Sequence, residues 1–347
     1  MIINIQFLRA VASLLIVFSH IILFGNDKYS LNLPNLNFIA CYFTIGIDIF
    51  FIISGFIMVY ITYNKDISPL LFLKKRFVRI FPPLWMVCII LLPVFFLKPE
   101  WINSSDNTPT SLLHSFFLIP HEGTPLIKVA WTLEFEMFFY IIFAITLNLS
   151  STKQIFSITT FFLLSIISGL LFPFLNNSAL TKLCISPYLL EFICGMLLGY
   201  YFKRIKTPSL LITFITTVTT IISFVYLMMF QYGEINRVLH FLPFAFNICF
   251  LFILLEQQKI VMPLKISIFG GNISYNIYLL HILILSAIWR FLAFYKISYL
   301  PNYIICFIIL ASCIICAWVM EIIVKKMLHI ISCKIPIYFN IISKEKH

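Results

Sequence analysis

Apolar runs of about 18 or more residues recur along almost the whole of this 347-residue chain, and each is long enough to cross a hydrocarbon layer of ~30 Å. Ten such spans are expected, at about 5–25, 37–62, 77–97, 131–148, 155–175, 183–202, 208–230, 238–256, 267–290 and 301–324. Arg290 and Lys296 interrupt the apolar run between the last two. Only 11% of residues are charged against 61% hydrophobic. A soluble domain is roughly a quarter charged, so a water-soluble fold is excluded. The expected class is an all-α, polytopic integral membrane protein with lipid as its solvent. No repeat of 20–50 residues and no low-complexity tract divides it, so residues 1–347 are expected to form a single transmembrane domain.

A formal net charge of +11 would suit a nucleic-acid partner, but its distribution argues for topology instead. Segments 64–79, 150–154, 203–207, 257–266 and 325–347 hold 16 of the 24 Lys and Arg residues. Loops rich in Lys and Arg stay in the cytoplasm. That rule puts both termini inside, with 325–347 as a basic cytoplasmic tail and the polar stretch 98–130 as an outer loop. No nucleic-acid partner is expected. Most of the nine cysteines fall inside spans, where Cys packs as a small apolar residue. Cys313 and Cys316 form a CxxC with no His beside it, so no metal site is expected. The first span lacks a basic leader and a small-residue cleavage site, so no signal peptide is expected either.

An ionisable side chain within a bilayer costs several kcal/mol and marks a functional site by default. The first span carries Arg9 and His20. Eleven residues are three helical turns plus ~20°, so both leave one face, separated by roughly 16 Å along the axis. "GIDIFFIISGF" places Asp48 in the second span, where a buried carboxylate needs a partner and a histidine at similar depth is the expected one. Ser54, beside Gly55, is either a polar contact or part of a small-residue packing surface. "RFVR" sets Arg76 and Arg79 on neighbouring positions of a helix face, and guanidinium forks suit phosphate. "WTLEFEMFFY" supplies Glu134 and the more deeply placed Glu136, "EFICG" supplies Glu191, and "GNISYNIYLLH" supplies His281. Depth counting puts His20, Asp48, Glu136, Glu191 and His281 in the middle-to-outer half of the membrane. The same counting gathers Arg9, Arg76 and Arg79 at the inner side.

These motifs, in this order over roughly 5–290, resemble the acyltransferase-3 family of membrane O-acyltransferases that modify bacterial surface glycans. The wording "WTLEFEMFF" looks most like the exopolysaccharide acetyltransferase branch. One departure stands out. The family's usual Glu-Glu pair maps to Glu136 and Met137, which leaves Glu134 a local feature. The resemblance implies a chain in the bacterial cytoplasmic (inner) membrane and no permanently bound cofactor. It implies acyl-CoA, with acetyl-CoA the default, as donor substrate. The implied acceptor is a hydroxyl of a cell-surface polysaccharide or its lipid-linked precursor. Some relatives add a periplasmic SGNH domain, which is not expected here.

On that reading His20 is the general base, oriented by Asp48 or Glu136. Arg9 lines the donor path or steadies developing charge. Arg76, Arg79, Arg9 and Ser54 bind the donor, and Glu191 and His281 are further candidates. Direct transfer and a covalent acyl-histidine relay both remain open, and the oligomeric state is not fixed by the sequence. The competing expectation is a transporter or flippase of a lipid-linked saccharide, with the same charges relaying protons.

Overall fold

A computed structural model describes residues 2–29, 34–102, 110–229, 236–295 and 301–334. Residues 103–109 of the outer loop, Lys296, and residues 335–347 of the basic tail lie outside the described residues. Among the described residues the chain is helical with no strand. In chain order the helices are α1 (Ile3–Tyr29), α2 (Pro34–Phe43), α3 (Gly46–Thr62), α4 (Pro69–Leu97), α5 (Leu112–Phe117), α6 (Trp131–Ile145) and α7 (Ser151–Leu171). They continue as α8 (Ala179–Cys184), α9 (Leu189–Arg204), α10 (Leu210–Met229), α11 (Arg237–Gln257), α12 (Leu264–Phe294) and α13 (Asn302–Lys334). Nine helical stretches among them are long and apolar enough to cross a membrane, as a multi-pass membrane protein requires.

One expected span comes out short, and two others stand as spans but are broken within their length. The stretch 131–148 is the 15-residue α6, entered through a 3-10 turn at Lys128–Ala130. At 1.5 Å per residue it reaches about 22 Å, short of a full hydrocarbon layer. The run 37–62 breaks at Thr44 and Ile45 into α2 and α3. The run 183–202 likewise divides, with α8 ending at Cys184 and α9 starting at Leu189, across Pro187. An apolar run fixes total length, but local turn chemistry decides whether it is one helix.

α1 is the axis on which the site is built, and it packs against α12, α3, α2 and α11. Its first turn has orphan N–H groups, and a carboxylate there is favourable both as acceptor and against the helix dipole. Glu256 at the end of α11 fills that role, accepting from the backbone of Ile3 (3.0 Å) and Asn4 (2.7 Å). The Asn4 amide then donates to the carbonyls of Phe252 (3.1 Å) and Ile260 (2.9 Å) and accepts from Met262 N (2.8 Å). α1 is therefore locked in height, and Arg9 and His20 with it.

α3 and α9 meet backbone to backbone. A Cβ on Gly55 would strike the Phe192 carbonyl, and one on Gly195 would strike the Ile52 carbonyl. With little hydrophobic drive between helices in lipid, small residues that permit such closeness are what hold them. α4 begins with a Ser68 N-cap, whose side chain accepts from Leu71 N at 3.2 Å, followed by Pro69 in the first turn. Tyr275 of α12 donates to the Ile80 carbonyl of α4 at 2.9 Å. Asn276, next along α12, reaches Glu321 of α13 at 2.9 Å. These bonds tie α12 to α4 and α13, while α1 packs along α12.

Candidate active site

Two cavities open along this group of helices. The first is lined by Arg9 of α1, Ser54 of α3, Arg76 and Arg79 of α4, Glu136 and Tyr140 of α6, and Tyr275 and Tyr278 of α12, among others. The second is lined by Phe24 of α1, Val87, Leu91 and Val94 of α4, and the C-terminal half of α12. α1, α4 and α12 thus run in the same sense, from the first cavity to the second. The volumes are about 70 Å³ for the first and about 690 Å³ for the second.

Five of the expected site residues, Arg9, Ser54, Arg76, Arg79 and Glu136, meet in the first cavity. Arg9 and Arg76 are buried, and Arg79 lies at the exposed edge. Arg9 donates to Gln6 Oε1, one turn back, at 3.1 Å. Ser54 Oγ donates to Glu136 at 3.1 Å and lies 3.1 Å from the Tyr140 hydroxyl, which also donates to Glu136. Two hydroxyls therefore fix one carboxylate. Ser54 and Gly55 divide the two roles left open for them: Gly55 packs on α9, while Ser54 faces the cavity. The charged groups lining the cavity are three arginines and one glutamate, an excess of two positive charges. With two of those arginines buried, the lining favours an anionic occupant.

His20 and His281 do not line this cavity. Their rings pack at a tilt of 55° where α1 lies against α12, with centroids 5.0 Å apart. His281 is buried, and its ring lies 5.8 Å from that of Tyr278, which lines the first cavity. His20 is half-buried, with its ring 5.7 Å from that of Phe24, which lines the second. The histidine pair thus stands between the two cavities. His20 Nδ1 donates to the Ile16 carbonyl (2.9 Å) and His281 Nδ1 to the Tyr278 carbonyl (2.7 Å). A carbonyl can only accept, so in the neutral rings each Nδ1 carries the proton and each Nε2 presents a lone pair.

The expected orienting partners of His20 are not its partners. Asp48 is fully buried and forms a bidentate pair with Arg237, Nη1 to Oδ1 at 3.0 Å and Nη2 to Oδ2 at 2.8 Å. Arg237 also donates to the Thr44 carbonyl at 3.1 Å and lies over the Phe241 ring at 4.9 Å. Asn236 caps α11 by accepting from Val238 N at 3.1 Å, which puts Arg237 in the first turn of the helix. Glu191 is buried beside Asp48 on α9, away from both cavities. Glu136, placed by depth counting with His20, lies with the arginines. The backbone carbonyl of Ile16 holds His20.

Sequence reasoning missed Arg237, Tyr140, Tyr275, Tyr278 and the second cavity. Arg237 could have been found as a cation at the first turn of a span, opposite a carboxylate ten residues into another.

A family model described as an acyltransferase domain matches residues 2–321. The exopolysaccharide production protein ExoZ of Rhizobium meliloti (strain 1021) is 28% identical over 256 residues, covering 71% of this chain and 79% of that protein. No solved structure matches the chain.

Proposed function

The chain belongs to the acyltransferase-3 family and is a membrane O-acyltransferase, and we propose that it moves an acetyl group from acetyl-CoA to a hydroxyl of a cell-surface polysaccharide or its lipid-linked precursor. The excess of two positive charges in the arginine cavity is the observation that carries this reading. Coenzyme A brings several phosphates, and guanidinium forks hold phosphate in fixed geometry. The cavity is narrow, with room for about five waters by volume. It suits the slender thioester end of a donor, with the nucleotide at its mouth near the exposed Arg79. Those phosphates would approach from the cytoplasmic side of a bacterial inner membrane. The likeness to ExoZ supports a polysaccharide as acceptor.

The chemistry follows from the histidine tautomer. A sugar hydroxyl is a poor nucleophile near neutral pH and needs a base as it attacks. His20 Nε2 takes the hydroxyl proton while the oxygen bonds to the thioester carbonyl carbon. The tetrahedral intermediate collapses with cleavage of the C–S bond, and His20 returns the proton to the departing thiolate. Ile16 holds the ring in the competent tautomer throughout. Glu136, fixed by Ser54 and Tyr140, sets one negative charge among the arginines of the cavity.

Incubating the purified protein in lipid nanodiscs with labelled acetyl-CoA and surface oligosaccharides tests the reading. Label is expected on the saccharide with release of free CoA. Absence of transfer to any saccharide, in protein that still binds CoA, would contradict it.

A further inference from the structure

We propose that the second cavity seats the lipid anchor of the acceptor: a hydrocarbon chain within the cavity, joined to the glycan through a phosphate held by Lys128 and Arg290. The inference rests on the acyl-transfer reading and adds the form in which the acceptor arrives.

The walls come first. Val87, Leu91, Leu283 and Phe291 are typical of the lining, which is mostly hydrocarbon. A sugar chain could not fill such a space, because each buried hydroxyl without a partner costs about 1–3 kcal/mol. At about 690 Å³ the cavity is in the range that holds a whole small ligand. Hydrocarbon is the chemistry that matches its surface.

The charges come second. Lys128 and Arg290 both line this cavity, and they are the charged side chains among its described lining residues. Arg290 donates to the Trp101 carbonyl at 3.3 Å and lies 4.7 Å from the centre of that ring. The stacked guanidinium is thereby held in one plane at the rim. One hydrogen bond occupies only one of its five N–H donors. Two cations beside an apolar cavity describe a site for an anionic amphiphile, not for a neutral lipid.

The position comes third. Phe24 forms part of the wall, and its ring lies 5.7 Å from that of His20. Lys128 also directly precedes Val129, whose carbonyl accepts from Tyr278 at 2.9 Å. A phosphate held by Lys128 and Arg290 would therefore place the first sugars beyond it within reach of His20. The donor would come to the histidine pair from one cavity and the acceptor from the other.

The test uses the full chain in phosphatidylcholine nanodiscs and a polyprenyl phosphate bearing a photoreactive diazirine. Label is expected on peptides spanning 87–102 and 279–294. Unlabelled polyprenyl phosphate should compete, whereas the matching polyprenol and added phosphatidylcholine should not. The double variant Lys128→Gln, Arg290→Gln should weaken competition about tenfold, and Lys128→Arg with Arg290→Lys should restore most of it. Equal competition by the polyprenol, or label scattered over the outer surface of the bundle, would overturn the proposal and leave an ordinary lipid-facing groove. That readout does not depend on catalysis. If acetyl transfer proceeds equally well to a free and a lipid-linked oligosaccharide and the polyprenol competes, the lipid site fails while the acyltransferase reading stands. If labelling is phosphate-selective but no saccharide is ever acetylated, the opposite holds.

Discussion

Among the described residues, two groups of charges within the helical bundle are built on opposite principles. Asp48 and Arg237 neutralise each other through two hydrogen bonds, and a further donor of the arginine goes to the Thr44 carbonyl. Arg9, Arg76 and Arg79 share a cavity with a single carboxylate, and that carboxylate is itself held by Ser54 and Tyr140. The first group pairs its opposite charges directly, joining α3 to α11, with Glu191 of α9 buried beside it. The second is open and has a positive charge left over. An ionisable residue inside a membrane is a functional candidate by default, but the accounting of its partners decides which kind of function it has.

The comparison can be broken most sharply at the residue that belongs to neither group. His20→Ala removes the base, and turnover should fall by about 10²- to 10⁴-fold while the protein still inserts and binds CoA. Retention of substantial turnover would move the base to His281.

Next in size is the closed pair. Asp48→Asn leaves a mostly buried guanidinium with a neutral partner, and the loss of stability should be about 3–5 kcal/mol. Thermal denaturation of the purified variant would register it. Replacing both partners, as Asp48→Leu with Arg237→Met, should recover much of that loss. Activity per folded molecule should change little. A large fall in turnover without loss of stability would put Asp48 in the chemistry after all.

The open group should respond in the reverse manner. Arg76→Lys and Arg79→Lys keep the charge but lose the fork, so stability should hold while KM for acetyl-CoA rises about tenfold, with a smaller change in kcat. Unchanged KM would reduce "RFVR" to a membrane anchor.

The smallest expected effect is that of Glu136→Gln. Depth counting would leave donor binding intact in this variant. The structure places Glu136 among the arginines, so its neutralisation should strengthen the field on the donor phosphates and lower KM for acetyl-CoA by about two- to fivefold. The amide oxygen can still accept from Ser54 and Tyr140. An unaltered donor KM would favour the depth-counted position over the observed one.

Much of this was legible from residue order alone. Apolar length and charge bias fix the helical membrane class, and "GIDIFFIISGF", "RFVR" and "WTLEFEMFFY" supply four residues that, with Arg9 of the first span, the fold does bring to one cavity. What escaped had physical causes. Depth counting treats each span as a rod starting at the interface, whereas α6 is short and is entered through a 3-10 turn, which carries Glu136 to the arginines. Arg237 reads as a loop charge until Asn236 is seen to cap α11 and turn it toward Asp48. The tautomer of His20 depends on a backbone carbonyl, and residue type carries no signal for that. The histidine pair joins residues 261 positions apart, through the packing of α1 on α12.

The central claim is that the three arginines hold the donor, and equilibrium binding of CoA tests it most directly. Binding should be measured on the wild type, on His20→Ala, and on the Arg76→Lys, Arg79→Lys double variant, all in nanodiscs. CoA should bind the wild type and His20→Ala alike, and the double arginine variant at least about tenfold more weakly. Equal affinity in all three would contradict the claim: the arginine cavity would not be the donor site.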